Sequence, residues 1–229
     1  MKKIFIFTTV AFLLVGNAEV FAQKGNFKKA VQFQNDAAKR VSTYGANDTK
    51  ALGLFTKAMN EYQKCITVSD KNTGEAYHYF GRILYAGPKS LRNYEQALQY
   101  LYSAAEIYKQ DNNIRFLSSC YNEIAVVHYR LEDFYSAFIN FQSAAELDNR
   151  YAGGVACMYW LGLGVEQDLP KAMERYRLAS LTGQDLWANI YALDYHIKEY
   201  EKGNYESRAI ELFSDYLHGR TMDEDRDVR

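Results

Sequence analysis

The chain has 229 residues, and its 27 lysines and arginines against 28 aspartates and glutamates give a formal net charge of −1. A near-neutral chain of this kind argues against a nucleic-acid surface. Only two prolines interrupt it, while 20 tyrosines and 13 phenylalanines are available for packing, which suits continuous helices joined through aromatic contacts.

At the start, Lys2 and Lys3 precede the apolar run from Ile4 to Val15. The run falls short of the roughly 20 residues of a membrane span but suits a signal-peptide core. Val20-Phe21-Ala22 then supplies the cleavage positions, so residues 1–22 read as a signal peptide with a mature start at Gln23. The alternative is an uncleaved anchor helix. With no cysteine at the cleavage site, a lipoprotein anchor is not indicated. The expectation is an exported bacterial protein, periplasmic or secreted, with no membrane span after cleavage. What remains is about 207 residues with a net charge of about −2.

Beyond that segment the chain reads as helical hairpins. The first runs from about Asn26 to Val68, with its turn at Tyr44 to Asp48 and with Asp48 or Thr49 capping the second helix. The second runs from Thr73 to Lys109, turning at Gly87-Pro88, with Asn93 as a cap. The third spans Ile114 to Leu147 with Asp133 capping, and the fourth Tyr151 to Leu181 with Gly162, Gly164 and Asp168 in its connection. A fifth begins near Asp185, turns at Gly203-Asn204 and ends by Leu217. Residues 23–217 therefore form the helical repeat domain. The charged tail, residues 218–229, has no periodicity and reads as disordered.

The hairpins repeat one another. Ala58, Ala97, Ala137, Ala172 and Ala209 are each followed four residues later by a large side chain, namely Tyr62, Leu101, Phe141, Tyr176 and Phe213. Three residues on, Cys65, Ala104, Ala144 and Ala179 restore a small residue, and Tyr216 breaks the pattern. Small, large, small at spacings of four and three lie on one helical face, where the small residues admit a neighbouring helix. Asn93, Asp133 and Asp168 each precede their repeat alanine by four residues, which places them as backbone caps rather than metal ligands. Gly162-Leu163-Gly164 lacks the strand and the rest of a phosphate-loop motif. Three cysteines cannot pair fully within one chain. Cys65 reads as a small buried residue, and Cys120 and Cys157 are either bridged or free.

The stretch Gly162-Leu163-Gly164-Val165-Glu166-Gln167-Asp168-Leu169-Pro170-Lys171-Ala172, with Arg175-Tyr176 and Ala179, resembles the Sel-like repeat. A degraded copy is carried by Ala76, Phe80-Gly81, Gly87, Asn93, Gln96-Ala97, Tyr100-Leu101 and Ala104-Ala105. The segment from Ser118 to Asn149 is similar to the shorter-turn tetratricopeptide repeat through Tyr121, Ile124-Ala125, His128, Phe134, Ala137, Phe141 and Ala144. The resemblance implies an all-α fold, a right-handed α-solenoid of about five antiparallel helical hairpins that serves as an adaptor surface for proteins or peptides.

By analogy with those repeats, first helices line the concave face, and the alignment places Tyr85, Tyr129 and Trp160 at one equivalent position there. His78, Arg82, Asn122 and Arg130 fall nearby. Such an aromatic ladder flanked by guanidinium groups suits an extended or helical peptide. The alternative is that these aromatics pack between adjacent first helices. The lysine and asparagine set with which some tetratricopeptide domains clamp a terminal carboxylate is absent, since Glu123 stands where a neutral or basic donor belongs. The four histidines have no metal-type spacing, and no serine sits in a nucleophile elbow. The expectation is a non-enzymatic scaffold without cofactor or metal that binds a protein or peptide partner. A glycan-binding envelope component, stacking sugars on exposed aromatic rings, is the second expectation.

Overall fold

The computed structural model describes residues 26–69 and 71–180. Among these residues all regular structure is helical, with no strand. The helices are α1 (Phe27–Tyr44), α2 (Thr49–Val68), α3 (Thr73–Ala86), α4 (Tyr94–Gln110), α5 (Ile114–Arg130), α6 (Phe134–Leu147), α7 (Ala152–Leu161) and α8 (Leu169–Ser180). Each packs on its neighbours in the chain, α1 on α2, α3 on α4, α5 on α6 and α7 on α8, with α2, α4 and α6 each also touching the helix that follows. Four of the expected hairpins are thereby in place within a residue or two of their expected ends. The signal segment, the fifth hairpin and the charged tail lie outside the described residues.

Apart from α3 and α7, the described helices start where a side chain can satisfy an orphan amide. The Asp48 carboxylate accepts from the Ala51 amide at 2.7 Å, Asn93 from Gln96 at 2.9 Å, Asp133 from Ser136 at 3.2 Å and Asp168 from Lys171 at 2.9 Å. All four expected caps are therefore caps, and each relieves one of the amides that a helix N-terminus leaves unpaired. The α7 helix stops at Gly162, whose φ of +66° is left-handed. Gly164 follows at φ +69°, and a Cβ there would run into the backbone carbonyl of Phe134. That turn needs glycine twice, once for conformation and once because α6 passes against it.

Packing follows the small-large-small column. Ala58, Ala97 and Ala137 are fully buried, as are Tyr62, Leu101 and Phe141 and the second small residues Cys65, Ala104, Ala144 and Ala179. Each large member contributes about 1.5–3 kcal/mol by leaving water. The Tyr62 hydroxyl donates to Gln34 at 2.8 Å, so its burial leaves no polar atom unpaired. The fourth copy keeps Ala172 and Ala179 buried, while its Tyr176 side chain lies outside the described set. Two apolar clusters result, one drawn from α1 to α5 and the other from α5 to α8. The α5 helix serves both, turning Ile124 and Val127 into the first and Ala125 into the second.

All three cysteines are buried and unbridged, so the open question of a Cys120–Cys157 link resolves to free thiols. The Cys120 thiol donates to the Leu101 carbonyl at 3.0 Å, a contact between α5 and α4 that takes it away from any disulfide partner.

Candidate functional site

His78, Arg82 and Tyr85 recur on α3 at intervals of four and three, so helical geometry lines them up along one stripe. The α5 helix passes beside this stripe and presents Glu123 to it. His78 Nε2 approaches Glu123 Oε2 to 3.2 Å without hydrogen-bond alignment, and Arg82 Nε lies 3.3 Å from Glu123 Oε1. The Tyr85 hydroxyl bonds to the same carboxylate. On the other side of the imidazole, His78 Nδ1 stands 3.3 Å from the Tyr108 hydroxyl of α4. One carboxylate therefore gathers three groups of α3, and through His78 the network reaches α4.

Burial and charge compete at Glu123. Removal from water alone would push its carboxyl up, but the close approach of His78 and Arg82, with the hydrogen bond from the Tyr85 hydroxyl, outweighs that and leaves it below its ordinary value. The carboxylate in turn raises Arg82, against the desolvation that lowers it. Burial first, and Glu123 second, push the Tyr85 phenol and the Cys120 thiol well up. Neither is an ionised nucleophile in this setting. Arg82 differs from its neighbours in being open: its side chain is 46% exposed, and its guanidinium sits 5.8 Å from the centre of the Tyr79 ring. Tyr79 itself stacks on Tyr62. The site is thus a guanidinium oriented from beneath by a buried carboxylate and from the side by an aromatic face.

The expected site residues divide. His78, Arg82 and Tyr85 meet at Glu123. Arg130 lies near enough to act electrostatically on Tyr85, and its Nη1 donates to the Tyr94 hydroxyl at 3.3 Å. Asn122 precedes Glu123 on α5, half-buried, with its side-chain oxygen out of contact with water. Tyr129 is half-buried against Phe134, with ring centres 5.4 Å apart. Trp160 is 4% exposed and belongs to the second apolar cluster. Tyr85, Tyr129 and Trp160 therefore do not form an open ladder. Trp160 is a core residue, because α7 is short and almost wholly apolar and buries nearly every side chain it carries.

Glu123, which in sequence is only a departure from the carboxylate clamp, is the centre of the site. A signal for it is present: the register that aligns Tyr85 with Tyr129 also aligns Tyr79 with Glu123, putting a charge where the preceding repeat has an aromatic ring. A buried charge at such a position needs an opposite charge from another helix, and Arg82 supplies it. His128 has both ring nitrogens engaged, Nδ1 with Asp133 at 3.1 Å and Nε2 with the Tyr102 hydroxyl at 2.9 Å. Among the described residues no group of three or more histidine, cysteine, aspartate or glutamate side chains is arranged to hold a metal ion. No described helix is long and apolar enough to cross a membrane. No protein-family model matches the chain, and no curated protein matches it.

Proposed function

We propose that this chain is an exported helical-repeat scaffold that binds a protein or peptide partner through carboxylate-bearing side chains, on the face shared by α3 and α5. In this reading the hairpins continue as a right-handed α-solenoid of about five, over residues 23–217. Its first helices line the concave side, and residues 1–22 are removed on export. The protein acts by binding, without metal or cofactor. The observation that supports this most is Arg82, whose side chain is partly open to solvent while its Nε lies 3.3 Å from the buried Glu123. A guanidinium oriented before the ligand arrives loses less rotamer freedom on binding, and its planar fork matches a carboxylate. Sugar stacking uses exposed rings, and the burial of Trp160 weighs against that second reading.

A pull-down from envelope extract with the chain beginning at Gln23 identifies the partner, and calorimetry with the captured segment measures its affinity. Arg82→Ala should weaken binding about tenfold or more, the loss of one charged hydrogen bond. Equal affinity for wild type and Arg82→Ala would overturn the assignment of this face. Mass spectrometry of the envelope protein tests export, with Gln23 as the expected first residue and an intact Met1 in the cytosol as the contrary result.

A further inference from the structure

A second polar constellation lies at the α5–α6 turn, apart from the Glu123 network. The Asp133 carboxylate is acceptor-only when ionised, and its Oδ2 stands 3.1 Å from His128 Nδ1. That bond places the proton of a neutral imidazole on Nδ1. The bare Nε2 must then accept from the Tyr102 hydroxyl of α4, 2.9 Å away. A carboxylate, an imidazole and a hydroxyl are thus aligned in series, with the carboxylate fixing the tautomer and the imidazole poised as a base. Tyr102 is 42% exposed, and the Asn140 side chain hydrogen-bonds its hydroxyl. Burial raises this phenol above its ordinary range, against the opposing Asn140 bond, so it arrives protonated and reacts only when a base takes its proton.

We propose that Tyr102, backed by His128 and Asp133, is a site of covalent acylation by activated acyl donors such as aryl esters. In the reaction Tyr102 Oη forms a bond to the acyl carbon as the bond from that carbon to the leaving oxygen breaks. His128 Nε2 takes the phenolic proton and passes it to the departing aryloxide, leaving one acyl-tyrosine and one phenol. No oxidant or further reactant is needed. The site is independent of partner binding at Arg82.

The chain supplies its own reference residues, because Tyr44 and Tyr135 are 64% and 68% exposed, more open than Tyr102. Both described histidines are already engaged elsewhere, His78 with Glu123 and His128 with Tyr102. Incubating the chain that begins at Gln23 with p-nitrophenyl acetate, followed by peptide mapping, gives an acetylation rate for each tyrosine. Tyr102 should react about a hundredfold faster than Tyr135 or more, the lower end of general-base assistance. Asp133→Asn keeps a capping oxygen for Ser136 but turns an amide donor toward Nδ1. The proton then moves to Nε2, and Tyr102 should fall to the rate of Tyr135 while both reference rates and the helical signal hold. His128→Gln should have the same effect. Reaction that simply follows exposure, with Tyr44 and Tyr135 ahead of Tyr102, would overturn the proposal, as would an unchanged Tyr102 rate in folded Asp133→Asn.

Discussion

Glycine inside a helix ordinarily weakens it, so replacement by alanine stabilises by about 1 kcal/mol where the added methyl finds room. Gly154 of α7 should do the reverse. A Cβ there would meet the Phe141 ring of α6 at 2.7 Å from Cε1 and 2.8 Å from Cγ, with Cδ1 closer still. Phe141 is fully buried, so its ring has nowhere to move without displacing the residues around it. Overpacking of this severity costs about 3 kcal/mol, the upper part of the usual range, and the gain in helix propensity offsets about 1 of that. Gly154→Ala should therefore be destabilised by about 2 kcal/mol, lowering Tm by about 4–8 °C for a chain of this size. Gly53 of α2 is the matched control, since a Cβ added there would have nothing within 4 Å. Gly53→Ala should be about 1 kcal/mol more stable than wild type. Urea denaturation followed by circular dichroism measures both variants. A Gly154→Ala variant as stable as wild type would refute this close approach of α6 and α7.

Trp160→Ala should lower stability by about 3–5 kcal/mol, the penalty for deleting a buried large aromatic, and a loss below about 1 would return Trp160 to the surface. The Glu123 carboxyl lies below its ordinary 4.5, so its ion pairs contribute fully above that value and are lost as pH falls through the lowered one. The stability gap between wild type and Glu123→Gln should accordingly be wide at pH 7 and shrink toward pH 3, and a gap that widens on acidification would contradict the pairing. NMR titration should place Asp48 at about 2, held down first by its hydrogen bonds from Arg40, and a midpoint near the ordinary 3.8 would mean those bonds are absent in solution. Ellman's reagent should find three thiols in guanidinium and react slowly with the native protein, since all three are buried and unbridged.

Much of the helical layout was legible because it depends on neighbours in the chain. Asp48, Asn93, Asp133 and Asp168 cap the helices they precede because a short oxygen-bearing side chain can reach an amide three residues on, whatever else surrounds it. Likewise, Ala97, Leu101 and Ala104 share a face through helical periodicity alone, and all three are buried. Gly162 and Gly164 marked a turn, and both adopt the left-handed backbone that glycine tolerates.

The site was less legible because side-chain depth is set between helices. Repeat register equated Tyr85, Tyr129 and Trp160, yet register says nothing about which neighbour covers a position, and Trp160 proved buried while its counterparts are only partly so. Nor could spacing along the chain pair Glu123 with His78 and Arg82, residues some forty positions earlier whose meeting depends on α3 and α5 lying side by side. The same holds for Tyr102, which only the packing of α4 on α5 brings to the His128–Asp133 pair of the α5–α6 turn. What the amino-acid sequence determined by itself was where helices begin and end and which face of each is apolar, because those follow from local hydrogen bonding and periodicity. What the tertiary structure alone decided was which polar groups are taken out of water together, because desolvation and charge pairing act across space rather than along the chain.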